Sequence, residues 1–358
     1  MPHKIVILGY SDSVHIIRWA RGIAERGFDV AVISLGGSNI ENIRTFVIPS
    51  GRKRSIGYIN NIPRVKGLIK DIKPDLVHTH FATGFGLWGL YSGFHPHLVS
   101  VWGADVIDFP RTMLRRFLLR RILNSADYIT ATSHFLQRRT LKLSLRLESK
   151  ITVVPFGINI PAQVESRPPD GIIRLAYIKA HREKYGPGIL LEAIHIAINE
   201  NRKVHLTMAG EGELTGWLKA RAAELGLEQY VSFAGFIDNK QMPGFLANHD
   251  IMVMPSVMES ESFGVAVIEA SAVGLPVIAS DIGGVPEVLL PGKTGIMVPP
   301  GDASALADAV IRLADNAELR RKMGEEGRKF VTEKYRWQDS LDSMTGLYER
   351  LISREIKR

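Results

Sequence analysis

"DIMVMPSVMESESFGVAVIEASAVGLPVIAS", residues 250–280, decides the fold. "DIMVMPS" reads as a strand, "VMESES" as a polar loop, "FGVAVIEASAVG" as a helix with apolar residues on nearly every face, and "LPVIAS" as a second strand. A helix that is apolar all round is buried. A short strand, a buried helix and another short strand make a βαβ unit of a parallel sheet.

The same alternation extends in both directions. Upstream come "KIVILG", a helix near Val14 to Arg26, "DVAVIS", a helix near Ile56 to Asp71, "DLVHTHF" and "LVSVW". After "ITVVPFGIN" the proline-rich, aperiodic "IPAQVESRPPDG" marks a domain boundary. The pattern then restarts with "IIRLAYI", the helix "PGILLEAIHIAINE", "KVHLTMAG", a helix around Leu214 to Leu225, and "VSFAGFI". At roughly 100–200 residues per domain, 358 residues fit two doubly wound α/β domains. The expected bounds are 1–165, 166–336 and a C-terminal helix over 337–358, whose stripe is Trp337, Leu341, Met344, Leu347, Tyr348 and Leu351. Ligands of such sheets sit beyond the carboxyl ends of the strands, so a cleft between the two domains is the expected site.

Composition narrows the class. The chain is 45% hydrophobic and 23% charged and holds no cysteine, which removes a disulfide framework and any thiolate metal site. The first apolar run is too short for a signal-peptide core. Ser262 to Ser280, the longest weakly charged stretch, contains Glu269, Gly274 and Pro276 and so reads as helix, turn and strand rather than a membrane span. The expected compartment is the cytoplasm.

Charge is uneven. The first 167 residues hold 23 Lys and Arg against 11 Asp and Glu, while the remainder is mildly acidic and the whole carries +8. The excess sits in "RKR" at Arg52 to Arg54, in "RTMLRRFLLRRIL" at Arg111 to Leu123, and in "RRTLKLSLRLESK" at Arg138 to Lys150. In the middle cluster Met113, Phe117 and Ile122 leave apolar surface between Arg115, Arg116, Arg120 and Arg121. That pattern suits either a helix on anionic lipid or a core helix with a solvated basic face. No RNA-binding aromatic signature or zinc-finger spacing supports nucleic acid.

Candidate site residues follow strands. A carboxylate on a buried helix costs several kcal/mol unless paired. Glu269 therefore needs either a partner in its own chain or a hydroxyl-rich ligand such as a ribose. Glu261 precedes the helix, where the macrodipole favours a carboxylate, and alone reads as a cap. The amides of Ser262, Phe263 and Gly264 form an anion site at the helix start. In "AYIKAHREKYGPG", Lys179, His181, Arg182 and Lys184 put cations beyond a strand, suited to a diphosphate or simply exposed. "MAGEG" places Gly210 and Gly212 in a tight turn, a weak signal. "LGYSDSVH" sets Gly9, Ser13 and His15 between strand and helix, to offer amides to a phosphate or to cap the helix. "SVWGADV" brings Trp102 and Asp105 to the edge of the cleft. His78 and His80 share a strand face without further ligands at metal spacing, and no D-x-D occurs, so a metal-independent reaction is expected.

"ESFGVAVIEASAVGLPVIAS" resembles the E-x(7)-E signature of retaining glycosyltransferases of the GT-B fold, family 4. Further likenesses run along the whole chain, among them "PDLVHTHF", "SADYITATSHFL", "VVPFGIN", "EKYGPGILLEAI", "VSFAGFI" and "DIGGVPEVL". The resemblance implies two Rossmann-like domains and transfer of a sugar, with retention, from a nucleotide diphosphate sugar. The acceptor would be a glycan, lipid-linked or polysaccharide-precursor molecule, with no cofactor and no nucleic acid.

It further implies that Glu269 binds the donor ribose and Glu261 the transferred sugar. Phe263 and Gly264 amides would serve sugar and diphosphate, Lys179 and Lys184 the leaving diphosphate, and backbone near Gly235 and Phe236 the base. The C-terminal helix would cross back to the first domain. The chain departs from the pattern in having Lys179 for arginine, Ile178 for glycine and Trp102 for histidine. Competing readings are a nucleotide-sugar-binding protein without turnover, a glycoside hydrolase using Glu261 and Glu269, and the nucleic-acid binder disfavoured above.

Overall fold

The computed structural model describes residues 2–51, 54–162 and 170–355. Arg52 and Lys53 of the first basic cluster, and the expected boundary at 165/166, lie outside the described residues. Seven strands build the first sheet: β1 (Lys4–Leu8), β2 (Asp29–Leu35), β3 (Arg44–Ile48), β4 (Leu76–His80), β5 (His97–Val101), β6 (Tyr128–Ala131) and β7 (Ile151–Val153). Six build the second: β8 (Ile173–Tyr177), β9 (Val204–Ala209), β10 (Val231–Gly235), β11 (Ile251–Met254), β12 (Val277–Ser280) and β13 (Gly295–Val298). Every pairing is parallel.

Strand order is β3-β2-β1-β4-β5-β6-β7 in the first sheet and β10-β9-β8-β11-β12-β13 in the second. Both are doubly wound α/β sheets, as the alternation predicts. The direction of winding reverses between β1 and β4 and between β8 and β11, which opens a crevice at the carboxyl ends of those strands. Central strands are apolar because both faces are covered: Ile5 to Leu8 and Ile251 to Met254 are completely buried.

The chain divides into two compact units, one of Met1–Gly157 with Gln338–Arg358, the other of Ile158–Trp337. The helix Trp337–Glu355 buries Leu341, Met344, Leu347, Tyr348 and Leu351 along its stripe. Its Tyr348 hydroxyl lies 2.6 Å from His78 Nδ1 on β4, and Asp342 pairs with Arg26. No helix among the described residues is long and apolar enough to cross a membrane.

One expected helix is two. Ile56 to Asp71 divides into Arg54–Asn60 and Ile62–Ile72. Pro63 has no amide hydrogen with which to continue the first ladder, and Asn61 Nδ2 instead donates to Gly57 O at 2.8 Å.

Candidate functional site

In the second unit, the loops leaving β8 and β11 meet at the reversal of strand order. Lys179, two residues beyond β8, places Nζ 2.7 Å from Glu261 Oε2 in the loop beyond β11. The Lys179 ammonium sits 4.5 Å from the centre of the Tyr185 ring, and that of Lys184 sits 4.6 Å from it. Two cations thus meet one aromatic ring, each stabilised by the ring quadrupole. Burial draws the Lys179 pKa down, but Glu261, Tyr185 and Glu269 outweigh it, and the net shift is upward. Lys179 stays cationic.

Glycines allow the loops to approach. A Cβ on Gly186, whose φ is +63°, would stand 2.0 Å from Pro255 O, and Val257 N donates to Lys184 O at 2.9 Å. The turn after β9 nests equally closely. A Cβ on Gly210 would lie 2.4 Å from Lys179 O, and one on Gly212 would lie 2.4 Å from His181 O. "MAGEG" is therefore more than a turn: its glycines admit the loop that carries Lys179. The chain after β12 closes the arrangement from below, with Gly284 N donating to Glu261 O at 3.0 Å.

The two glutamates exchange places relative to the expectation. Glu261 is the buried carboxylate, only 8% exposed, and is an ion-pair partner rather than a cap. Glu269 is half-buried, because the helix Val265–Ala272 turns it away from the face that carries Val267, Ile268 and Ala270 into the core. The Phe263 side chain packs edge-on against Tyr335, with ring centres 5.6 Å apart, and anchors the loop. Ser262 is buried beside it, and Gly264, at φ +92°, caps the helix with its backbone. Gly235 ends β10 with φ +67°, and the Phe236 ring after it is exposed.

Sequence reasoning passed over three residues here. Tyr185 supplies the aromatic ring that both lysines approach, a role visible only once the loop is folded. The hydroxyls of Ser256 and Ser260 are buried with no hydrogen-bond partner among the described residues. Such groups cost about 1–3 kcal/mol each unless a ligand or water satisfies them.

In the first unit, the loops after β1, β4 and β5 gather rings. His15 stacks on Phe156 at 4.5 Å between centres and meets Trp102 edge-on at 5.5 Å. Trp102 also contacts His80 at 5.2 Å and Phe81 at 4.6 Å. Gly9 lets Ile16 pack close, since a Cβ would stand 2.6 Å from Ile16 Cδ1 and push that side chain aside. Ser13 occupies the cap position of the helix Val14–Glu25 without a side-chain capping bond.

Asp105, expected at the cleft edge, is buried and accepts from the amides of Ala82 at 2.8 Å, Trp102 at 3.1 Å and Gly103 at 2.9 Å. Burial raises its pKa, the amides oppose that rise, and the net shift is upward. Asp105 shapes the loop that presents Trp102.

His80 is fully buried, neither ring nitrogen has a hydrogen-bond partner among the described residues, and its pKa is lowered to about 3 by burial and by His15. Among the described residues no three His, Asp or Glu side chains are grouped to hold a metal ion.

The basic cluster forms the helix Met113–Ser125. Met113, Leu114 and Phe117 are 83%, 77% and 59% exposed, and Arg115, Arg116, Arg120 and Arg121 are exposed around them. Ile122, expected at the surface, is buried beside Gly86, while Leu119 and Leu123 pack with Val99, Val101 and Ile129 of the sheet.

Residues 4–133 match the family model described as glycosyl transferase 4-like, and residues 162–330 the one described as glycosyl transferases group 1. The phosphatidyl-myo-inositol mannosyltransferase of Mycobacterium leprae is 25% identical over 369 residues, spanning 98% of this chain and 96% of that one. Among solved structures, sucrose-phosphate synthase from Thermosynechococcus elongatus superposes with a TM-score of 0.85 at 22% identity, covering 98% of this chain and 99% of that one. Anabaena HepE in complex with UDP-glucose gives a TM-score of 0.83 at 17% identity, covering 97% of this chain and 100% of that one. Matched by glycosyltransferase models in both units and sharing the GT-B fold along almost its whole length, the chain belongs to the family-4-type glycosyltransferases.

Proposed function

We propose that this glycosyltransferase moves a sugar from a nucleotide diphosphate sugar to a glycan, lipid-linked or polysaccharide-precursor acceptor, with retention and without a metal ion. The observation that carries the reading is the meeting of Lys179, Lys184 and Glu261 at the β8/β11 reversal. Breaking the bond from the anomeric carbon to phosphate sends its electron pair onto the diphosphate, and fixed cations stabilise that charge as it develops. The two lysines supply it. Glu261 then faces the oxocarbenium-like centre, Glu269 takes the donor ribose, and the Phe263 and Gly264 amides take sugar and phosphate oxygens. The acceptor hydroxyl attacks from the face the diphosphate leaves and gives its proton to a departing phosphate oxygen.

Gly235 and Phe236 offer a backbone turn and an exposed ring to the base, while Gly210 and Gly212 keep the Lys179 loop in place. His15 and Trp102 belong to the acceptor side. The exposed apolar residues and arginines of Met113–Ser125 support docking on an anionic membrane face, a cytoplasmic one for a nucleotide-sugar enzyme. The M. leprae relative, named for a lipid acceptor, points the same way.

Thermal-shift measurements with UDP, GDP, ADP and their sugars, with magnesium or with EDTA, test the donor half. One nucleotide should stabilise the protein selectively, irrespective of metal, and Glu269→Ala should remove the effect. Glu269→Ala and Lys184→Ala should each keep the fold and cut turnover by on the order of a hundredfold or more. Wild-type rates in either would sink the site assignment, and NMR of the product's anomeric proton decides retention.

A further inference from the structure

A pocket of about 420 Å³ in the first unit has no part in the chemistry above. That volume is typical of a small-molecule site. Its walls are mostly aromatic and aliphatic: Tyr58, Phe85, Phe109 and Leu118, with Tyr10 and Phe81 from the loops that follow β1 and β4. The two phenol hydroxyls of these walls are already used. The Tyr58 and Tyr10 hydroxyls bond each other at 2.7 Å, and Trp88 Nε1 donates to Tyr58 O at 2.7 Å. Ring faces and hydrocarbon make up most of the remaining wall, with Ser55 and Thr83 as its other polar side chains.

Three features indicate the occupant. The pocket shares the helix Met113–Ser125 with the apolar and basic outer surface, since Leu118 and Ile122 line it while Met113, Leu114 and Phe117 stand in the open. Cations border it as well, with the Arg54 guanidinium 5.2 Å from the Tyr10 ring centre and that of Arg115 5.6 Å from the Phe109 ring centre. On the other side, Phe81 both lines the pocket and leans on Trp102, held there at φ 71°, a conformation costly for a bulky residue. The pocket therefore runs from a lipid-suited surface to the rings of the acceptor side.

We propose that this pocket takes the hydrocarbon chain of an anionic lipid acceptor, with Arg54 and Arg115 meeting its phosphate. The inference rests on the reading of the protein as a transferase to a lipid-linked acceptor, and it names the part of that acceptor the first unit holds.

Titration calorimetry of the whole protein with decyl phosphate, hexyl phosphate and inorganic phosphate, below micelle concentrations, tests it. Each methylene buried tightens binding about fourfold. Decyl phosphate should therefore bind on the order of a hundredfold tighter than hexyl phosphate, and inorganic phosphate should not bind measurably. Leu118→Asp should weaken decyl phosphate at least tenfold. Ile59→Asp, at an exposed lining residue that can change without disturbing the core, should do the same and decides the matter if Leu118→Asp does not fold. Phe117→Ser, on the outer face of the same helix, should keep the affinity.

No decyl phosphate binding, no dependence on chain length, or unchanged binding in the aspartate variants overturns the proposal. So does loss in Phe117→Ser alone, which would place the chain on the outer surface. Nucleotide titrations run in parallel separate the two readings: nucleotide binding without decyl phosphate binding sinks only the pocket, and the reverse sinks only the donor site.

Discussion

Lys179 and Glu261 are each held by the other. Removing the lysine leaves a carboxylate largely out of water, and breaking a buried pair from one side typically costs about 3–5 kcal/mol. With side-chain exposures of 15% and 10%, the lower end applies. Lys179→Ala is expected to lower the unfolding free energy measured in urea by about 3 kcal/mol, and Lys179→Ala/Glu261→Ala to recover most of that. Neither variant should transfer sugar. Equal stability of the single and double variants would mean the pair is not coupled. The spacing of the two glutamates was readable in the sequence; which one is buried was not. Periodicity places Glu269 on an apolar helix but does not fix its rotation, and the folding of Glu261 over the Gly284 amide depends on a loop that begins twenty residues later.

At the scale of elements, the strand-and-helix alternation was legible because parallel strands buried on both faces must be apolar runs. The break at Asn61 was not, since the apolar spacing continues through it. The crossing loops were legible only as glycines. Gly186→Ala should abolish nucleotide-induced thermal stabilisation, because its Cβ would collide with Pro255 O in a left-handed conformation. An unchanged thermal shift would show that the loops have another way to approach.

β4 and β5 carry a second consequence. Burial lowers the pKa of His78 well below normal, of His80 to about 3 and of His97 to about 4, Asp127 opposing the last shift. Unfolding lets each bind a proton between its folded value and its ordinary one near 6.5. Their stabilisation is therefore complete above about pH 6.5 and is lost as pH falls toward the folded values, by about 1.4 kcal/mol per unit for each group. Melting temperature should drop from pH 7 to pH 5, and His80→Leu should make that drop shallower. An identical slope in the variant would refute the assignment.

For the molecule as a whole, the charge imbalance was plain in the sequence, but its use depended on which residues of one helix face outward. Ile122 turned in, whereas Met113, Leu114 and Phe117 did not. The protein should cosediment with anionic liposomes at low salt, and Arg115→Glu/Arg116→Glu/Arg120→Glu/Arg121→Glu should abolish this, each basic residue near such a surface contributing about 1 kcal/mol. Failure of the wild type to sediment removes the membrane role.

The return of Gln338–Arg358 to the first unit bears on the order in which the protein is made. A ribosome delivers Met1–Gly157 first, then all of Ile158–Trp337, and only afterwards the helix whose Tyr348 seals β4. The unit begun earliest is completed last. During synthesis the second unit can close on its own contiguous segment while β4 still waits for its cover, so a chain cut short between Trp337 and Tyr348 would harm the first unit, whose strands were made earliest, and spare the second.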